Sequence, residues 1–359
     1  MLQSELKNLF EQFQTICIFG AKMVAVRFYY ALKSLYPNVQ IMCFLVSMKE
    51  GNPSSIDGIP VIELQEFDSK DIPVFVATPE VIHAEIVRSL EEKNIKKVIC
   101  LDSKKEAALL EVFFRDCTPF TTLRSCQKGE DRISLSAYMS KFYRDKVLAK
   151  SYIFPEWIHP IQVGSDLTDV RITELCDNEG DNISRKNPNY SELTASYWIG
   201  KHGTDEYLGL YHYRRILDVM EEDLQRICWN DIDVVLPYPS IHQPDIHAHH
   251  KRWLADSDWD ALLQAIHEIS PDYAKALPEL FSGRYFYNYN ILIAKRTIFQ
   301  EYCNWMFPIL ARVEELSVPR GDERADRYIG YIGESLTTLY FLYNRDKYKI
   351  AVAGCHMLI

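Results

Sequence analysis

The sequence predicts an α/β protein of two domains, a doubly wound parallel sheet over residues 1–126 and a second α/β domain over residues 127–359. Through the first third of the chain, short apolar runs alternate with helical stretches, which is typical of strands buried between two helical layers. The length of 359 residues favours two domains over one. A charged stretch with cysteines interrupts the alternation near Gln127, and a strand pattern then begins again.

Five apolar runs define the strands of the first domain. The run from Thr15 to Gly20 is short and ends in glycine, and the stretch from Ala21 to Tyr36 has helical spacing. Pro79 suits the first turn of a later helix, because a proline there loses no hydrogen bond. The runs, in order, are TICIFG, VQIMCFLVS, GIPVIEL, IPVFVAT and IKKVICLD. Such sheets bind ligands at the carboxyl ends of their strands.

The turn after the first strand matches a dinucleotide-binding turn only in part. That turn needs G-x-G-x-x-G so that the backbone can approach a pyrophosphate. Here Gly20 is followed by Ala21-Lys22-Met23-Val24-Ala25, so two of the glycines are missing. The stretch resembles the small Rossmann-like domains attached to sugar-modifying enzymes. We therefore favour a structural or acceptor-related role for this domain over cofactor binding.

Composition and charge exclude several classes of protein. Hydrophobic residues make up 47% of the chain and charged residues 25%, which is typical of a globular protein. The formal net charge of −10 argues against a nucleic-acid partner. The nine cysteines form no C-x-x-C pair, and we interpret them as reduced. No signal peptide or membrane-spanning run is evident, so we expect a cytoplasmic protein, with peripheral contact at the inner membrane face left open.

The second domain begins with the strand pattern from Arg132 to Lys141. A helix is predicted to follow, with Asn187 as its N-cap, Pro188 at the first helical position and Gly203 just past its end. The run EYLGLYH is the next buried strand. The remaining predicted elements are the strand DIDVVLPYP, the helix DSDWDALLQAIHEI, the strand NYNILIAKR and the helices IFQEYCNWMFPILARVEEL and RYIGYIGESLTTLYFLY.

Three separated blocks of the second domain resemble one family. They are DNISRKNPNYSELTASYWIGKHGTDEYLGLYHYRRIL, NILIAKRTIFQEYCNWMFPIL and RYIGYIGESL. The sequence is similar to the bacterial capsular and exopolysaccharide glycosyltransferases first described as a domain of unknown function. The resemblance covers Arg132 to the carboxyl terminus and implies a GT-A-like fold. Ser335 stands where the family often has an arginine, which puts a role for that arginine in doubt.

The resemblance implies a glycosyltransferase that uses a nucleotide diphosphate sugar. The expected donor is a UDP-hexose, with UDP-galactose in pyranose or furanose form as the first choice. The expected acceptor is a growing surface polysaccharide on a lipid carrier. Two alternatives are a nucleotide-sugar oxidoreductase or epimerase that acts through the first domain, and a non-catalytic sugar-binding scaffold.

Two adjacent arginines, Arg214 and Arg215, follow an apolar run at the predicted carboxyl end of a strand. Arginine stays charged and binds phosphate oxygens through two donors, so we expect the pair to hold the departing diphosphate of the donor. In most GT-A enzymes a metal performs this task. In the alternative reading, one arginine pairs with a carboxylate such as Asp218 or Glu192 to organise the fold.

The neighbouring residues complete a predicted donor site. His212 is either a catalytic residue or a hydrogen-bonded core histidine. Glu192 and Asn182 are second choices for the catalytic base. The predicted donor-binding residues are Asn182, Lys186, Glu192, Tyr213, Arg214 and Arg215.

Glu334 is the predicted base that deprotonates the acceptor hydroxyl. Arg327, Tyr331, Glu334 and Thr338 share one face of a predicted helix, so Arg327 and Tyr331 are expected to hold the carboxylate. The alternative is an ordinary surface network. The predicted sugar- and acceptor-binding residues are Asn290, Tyr331, Arg327 and Trp253, with Asn288 as a weaker candidate.

Two Asp-x-Asp sequences are poorly placed for a metal. Asp231-Ile232-Asp233 precedes its apolar run, which predicts a position at the amino ends of the strands. Asp256-Ser257-Asp258 suits the start of a helix. We interpret both as solvated and structural.

A histidine-rich stretch lies between these pairs. It can be a zinc or manganese site, a loop that stacks on sugar, or a solvated loop, and the last is favoured because the spacing matches no metal-ligand pattern. Its residues are His242, Asp245, His247, His249 and His250. No metal ligand is assigned, and a need for Mn²⁺ or Mg²⁺ is left open.

Overall fold

In the computed structural model the chain divides into two compact units. The structure describes residues 2–250 and 253–358, without the side chains of residues 2–4 and 249–250. Unit 1 comprises Met1–Phe120 and Ser240–Pro244, and unit 2 comprises Thr121–Pro239 and Asp245–Ile359. Unit 1 thus ends at Phe120 rather than at residue 126, because Thr121–Thr122 pair with a strand of unit 2. The pattern of apolar residues in the sequence does not predict that Ser240–Pro244 belong to unit 1.

Unit 1 is a mainly parallel sheet with helices on both faces. Its strands are β1 Thr15–Phe19, β2 Gln40–Val46, β3 Ser55–Ile56, β4 Ile59–Glu63, β5 Val74–Val76 and β6 Val98–Cys100. Its helices are α1 Leu2–Glu11, α2 Met23–Leu35, α3 His83–Glu92 and α4 Ser103–Cys117. The strand order is β3-β4-β2-β1-β5-β6, and only the β3–β4 pair of this sheet is antiparallel.

Alternation along the strands explains the two helical layers of unit 1. Cys17 and Phe19 of β1 point to the face where Ile86 of α3 packs. On the other face, Phe10 and Phe28 stack on the ring of Phe75. The α/β fold class predicted from the sequence is confirmed, whereas α4 lies in a stretch where no helix was predicted.

Gly20 has a packing role at the end of β1. Its φ is +120°, and a Cβ atom there would lie 2.6 Å from the backbone oxygen of Ala77. The glycine therefore lets the loops after β1 and β5 approach each other.

Unit 2 is a mixed sheet with a single antiparallel strand in its main path, among the described residues. Its strands are β7 Thr121–Thr122, β8 Leu135–Lys141, β9 Ile158–Gln162, β10 Leu175–Cys176, β11 Tyr207–His212, β12 Arg215–Leu217, β13 Val234–Pro237, β15 Tyr285–Phe286, β16 Leu292–Lys295, β17 Ile350–Ala353 and β18 Cys355–Met357, while β14 Ser240–Ile241 belongs to unit 1. The main order is β10-β9-β8-β11-β16-β13-β17-β7. β16 is antiparallel to β11 and β13.

Unit 2 contains the predicted helices DSDWDALLQAIHEI, IFQEYCNWMFPILARVEEL and RYIGYIGESLTTLYFLY, together with shorter helices that the sequence did not predict. The helices of unit 2 are α5 Asn187–Tyr190, α6 Leu193–His202, α7 Glu221–Trp229, α8 Ile246–His250, α9 Asp256–Ile269, α10 Pro271–Ala274, α11 Leu277–Ser282, α12 Arg296–Leu316 and α13 Tyr328–Tyr343. Within the described ranges, none of the helices has both the length and the apolar character that crossing a bilayer requires.

The helix predicted from Asn187 to His202 is in fact two helices. Asn187 is the first residue of α5 and not an N-cap. Ser191, with a φ of +50°, interrupts the helix. Glu192 then becomes the N-cap residue of α6. The apolar pattern does not show this interruption, because α5 and α6 both contribute buried residues.

Candidate active site

Three strand ends meet at one edge of the unit 2 sheet. β8 and β11 are parallel and end there, and the antiparallel β16 begins there. Because Leu210 pairs with Leu292, the register places His212 at the end of β11 next to Asn290. This is the edge at which parallel sheets bind ligands.

The chain reverses directly after His212. The backbones of His212 and Arg215 pair across the tight turn from β11 into β12. β12 then pairs with β18. The strand therefore does not run out into solvent through the two arginines. Arg214 lies in the turn, where its backbone oxygen accepts a hydrogen bond from Leu358 at 2.8 Å.

Glu192 is a buried carboxylate at this edge, with 7% of its surface exposed. Its Oε1 accepts a 2.6 Å hydrogen bond from Nδ2 of Asn290 and lies 3.5 Å from Nε2 of His212. Burial raises the pKa of Glu192, but the charge of His212 and the hydrogen bonds outweigh burial, so the pKa is lowered. The break at Ser191 turns this side chain inward, since it ends α5 just before Glu192.

A left-handed pair precedes β16. Tyr289 has a φ of +74° and Asn290 a φ of +52°. Asparagine adopts this region readily, but a bulky tyrosine does so only where the surrounding structure enforces it. This turn buries Asn290, whose side-chain amide also donates to the backbone oxygen of Gly330 at 3.1 Å. The same turn directs the backbone N–H of Tyr289 toward Glu334.

Glu334 lies on α13 and faces the same edge. Its Oε1 accepts the Tyr289 N–H at 2.8 Å, and its Oε2 lies 3.4 Å from Nδ2 of Asn288. The protein surrounds the carboxyl group closely, and this burial raises its pKa to about 8, although the Tyr289 N–H lowers it. The negative charge of Glu192 raises it further.

The surroundings thus lower the pKa of Glu192 and raise the pKa of Glu334. Glu192 is held in its ionised form and Glu334 stays protonated up to weakly alkaline pH. A pair of this kind is typical of a site that moves protons.

Arg214 and Arg215 have no carboxylate within ion-pairing distance in the described part of the chain. Arg215 lies over the ring of Tyr289 at 4.2 Å, and Arg214 lies 5.5 Å from the ring of Tyr213. Both side chains are half-buried. Two guanidinium groups at a polar edge that form no ion pair among the described residues favour an anionic ligand.

The carboxylates proposed as structural partners of these arginines are bound elsewhere. Asp218 forms ion pairs with Arg124 at 2.7 Å and with His356 at 3.0 Å. Glu192 pairs with His212. The alternative that one arginine pairs with Asp218 or Glu192 is therefore wrong.

Asp145 is a neighbour of the site that the sequence reasoning missed. It follows β8 and accepts the Phe142 N–H at 2.7 Å. Burial raises its pKa, while the charges of His212, Arg214 and Arg327 lower it. The rule that placed the arginines at a strand end could have found Asp145, because it too follows a strand that ends at this edge.

The predicted support of Glu334 is wrong in its details. Arg327 precedes α13 with a φ of +67°, and its Nε donates to Oγ of Ser191 at 2.9 Å. Tyr331 instead stacks on Trp253, with ring centroids 5.4 Å apart and planes 23° apart. Trp253 is 55% exposed, so this aromatic pair offers a face to solvent one helical turn from Glu334.

The other predicted donor residues lie in the loop before α5. Asn182 donates to the backbone oxygens of Asn178 and Gly180 within its own loop. Lys186 forms an ion pair with Glu314 at 2.5 Å. The structure therefore uses both side chains to hold the loop, whereas Tyr213 lies beside Arg214 at the sheet edge.

The Asp-x-Asp pairs have different surroundings. Asp231 pairs with Lys295 at 2.6 Å just before β13, at the amino ends of the parallel strands. Asp258 is fully buried and forms a two-bond ion pair with Arg324 at 2.7 and 2.9 Å. Asp256–Asp258 do begin α9, but the expectation of a solvated Asp258 is wrong, because its ion pair stabilises the buried charge.

Replacing Arg324 with methionine is expected to destabilise the protein by about 3–5 kcal/mol, because Asp258 would keep a buried charge without its partner. Urea unfolding measures the change. Arg312→Met is the matched control, since Arg312 pairs with Glu268 on the surface, and we expect a loss of at most about 1 kcal/mol. Equal small losses for the two variants would contradict the prediction.

The histidine-rich stretch fits the predicted solvated loop only in part, because His242 is buried whereas His247 is exposed. His242 is buried and hydrogen bonds to Oγ of Ser240 at 2.8 Å within unit 1. In unit 2, Asp245 accepts the Ala248 N–H at the start of α8, and the ring of His247 packs near Trp259. The side chains of His249 and His250 lie outside the described residues. Among the residues that the structure describes, no cluster of three or more potential metal ligands occurs.

Comparison with known proteins places this site in a recognised sequence family. Residues 148–345 match the family described as a domain of unknown function, DUF4422. No curated protein sequence matches the chain. The matched range contains the two arginines, Glu192, Asn290 and Glu334.

A solved glycosyltransferase structure is similar in fold to part of the chain. The chain resembles the apo structure of WbbM, a bifunctional glycosyltransferase, with 27% identity and a TM-score of 0.53. The match covers 62% of this chain and 45% of WbbM, so the chain spans under half of that protein. It also aligns with the S. cerevisiae mannosyltransferase Ktr4p, with 11% identity over 64% of this chain and 74% of Ktr4p, at a TM-score of 0.30.

Proposed function

The chain belongs to the DUF4422 family, and from this membership and the site geometry we propose that it is a glycosyltransferase acting on a nucleotide diphosphate sugar. The observation that carries the proposal is a pair of half-buried arginines that form no ion pair among the described residues, at the same sheet edge as a carboxyl group of raised pKa. An anionic leaving group and a proton acceptor are what glycosyl transfer needs at one place. The similarity to WbbM supports the same reaction class.

In the proposed reaction, the acceptor hydroxyl attacks the anomeric carbon and the bond to the diphosphate breaks. Glu334 in its ionised form accepts the hydroxyl proton. Arg214 and Arg215 stabilise the charge that grows on the diphosphate. Buried Asn290 bonds to Glu192 and positions the Glu192–His212 pair on the sugar side of the site. The exposed ring of Trp253, stacked on Tyr331, packs on a sugar ring.

The finer assignments are proposals that rest on the sequence resemblance. The donor is a UDP-hexose, with UDP-galactose as the first choice, and the acceptor is a growing surface polysaccharide on a lipid carrier. The protein works at the cytoplasmic face of the membrane. The arginine pair takes the place of a metal at the diphosphate, and a divalent ion is the alternative.

Thermal unfolding with a panel of nucleotides tests the proposal. A ligand at 100 times its Kd stabilises the native state by about 2.7 kcal/mol, so a UDP-sugar should raise the Tm measurably. We expect the shift to survive EDTA. A shift that requires Mn²⁺ would overturn the metal-free part, a shift with NAD(H) alone would favour an oxidoreductase, and no shift with any nucleotide would favour the non-catalytic scaffold.

A further inference from the structure

The loop between β8 and β9 exposes two large aliphatic side chains. Val147 is 96% exposed and Ile153 is 101% exposed, more than any other large hydrophobic residue that the structure describes. We call residues 144–153 the basic loop. Nearly complete exposure of two large aliphatic side chains within ten residues makes this loop a candidate contact surface, which its charge and packing must support.

Some side chains of the basic loop pack against the protein and hold the loop in place. Leu148 and Tyr152 pack against the hydrophobic core of unit 2, together with Phe154 that follows them. The rings of Tyr152 and Phe154 stack at 6.3 Å. These inward contacts fix the positions from which Val147 and Ile153 point outward.

The outward side of the loop is also cationic. Arg144, Lys146 and Lys150 are exposed, and none has a carboxylate within ion-pairing distance among the described residues. Asp145 is half-buried and holds the Phe142 N–H. The loop therefore carries positive charge in a chain whose formal net charge is −10.

We propose that the basic loop docks the protein on an anionic lipid surface. Two contributions favour binding at a membrane interface. Aliphatic side chains bury apolar area in the headgroup region, and lysines beside them attract anionic lipids. A nucleic acid would be bound by stacked aromatic residues instead, and the outward residues of the loop are aliphatic.

The basic loop is linked electrostatically to the candidate active site, so membrane docking would bring that site to a lipid-linked acceptor. Asp145, within the loop, feels the charges of His212, Arg214 and Arg327 at the candidate active site. A lipid-linked acceptor presented at the membrane would meet the site next to the docked loop. This rationale rests on the proposed function, but lipid binding can be measured without any sugar transfer.

Vesicle flotation with the full chain tests the proposal. We expect binding to vesicles that contain phosphatidylglycerol, little binding to pure phosphatidylcholine vesicles, and loss of binding as salt rises from about 0.1 M to about 1 M, where screening shortens to a few ångströms. Lys146→Gln with Lys150→Gln should weaken binding by about 10- to 30-fold, given the usual contribution of a lysine near an anionic surface. Val147→Asp with Ile153→Asp should abolish it.

Matched controls separate the loop from general surface effects. Lys275→Gln with Lys347→Gln removes the same charge from exposed positions elsewhere in unit 2, and Val318→Asp alters an aliphatic residue that is 77% exposed. Both should bind vesicles like the wild type. Equal losses in the controls, or unchanged vesicle binding in the loop variants, would overturn the proposal. So would loop variants that bind vesicles normally but lose the Tm shift with a UDP-sugar, which would make the loop part of the donor site.

Discussion

Replacing Glu334 with glutamine is expected to lower the turnover number by about 100- to 10,000-fold, the usual contribution of a general base. Glutamine keeps the size of the side chain and can still accept the Tyr289 N–H, but it cannot accept a proton. Donor affinity should change little, because the base acts on the acceptor. Release of nucleotide diphosphate from the preferred donor gives the rate, and the Tm shift gives donor binding.

Glu301→Gln is the control, because this carboxylate bonds to Lys347 and Tyr348 away from the candidate site. It should leave the rate unchanged. In the wild type the rate should rise with pH toward 8, as the base form of Glu334 grows, and the glutamine variant should lose this rise. A fully active Glu334→Gln variant would remove Glu334 from the mechanism.

The same variant reports the raised pKa through stability. Glu334 has a folded-state pKa of about 8, against 4.5 for the exposed group. Below pH 4.5 it is protonated in both states, and as pH rises from 4.5 to 8 the unfolded state loses its proton first, so stability falls. Glu334→Gln should therefore show a smaller decrease of Tm between pH 5 and pH 8 than the wild type.

Removing the arginine pair should have the second large effect, on donor binding. Each charge-assisted hydrogen-bond contact contributes about 1.5–3 kcal/mol, so Arg214→Ala should weaken donor affinity by about 10- to 100-fold. Arg215→Ala should weaken it similarly and also disturb Tyr289, on which the guanidinium lies. Lysine at position 214 should retain part of the affinity, because it keeps the charge but not the two-donor geometry.

Isothermal titration with the donor measures the loss. Arg132→Ala is the control, since Arg132 pairs with Glu221 on the surface. It should bind the donor like the wild type. Unchanged affinity in both arginine variants would contradict a diphosphate site at the turn between His212 and Arg215, whatever the reaction of the protein.

The position of the arginines could be predicted from the sequence, and their conformation could not. An apolar run followed by polar residues identifies a strand end, which is a local signal. The reversal of the chain between His212 and Arg215 depends on pairing with β18, some 140 residues later, for which the local pattern carries no information.

The surroundings of Glu334 illustrate the same limit. Helical spacing placed it on a face of α13, but its partners are the Tyr289 N–H and Asn288, brought in by the left-handed turn before β16. Glu192 reaches His212 only because Ser191 interrupts a helix whose sequence looks continuous. Single positive-φ residues of this kind depend on tertiary contacts, which a one-dimensional pattern does not contain.

The return of Ser240–Pro244 into unit 1 bears on how the gene can be divided. Tyr30 of α2 donates to Oε1 of Gln243 at 2.6 Å, so the first unit is completed by a segment encoded far downstream. A single cut near residue 120 would leave one fragment without Gln243 and the other with an orphaned segment. Recombination could exchange the first unit intact only together with this segment.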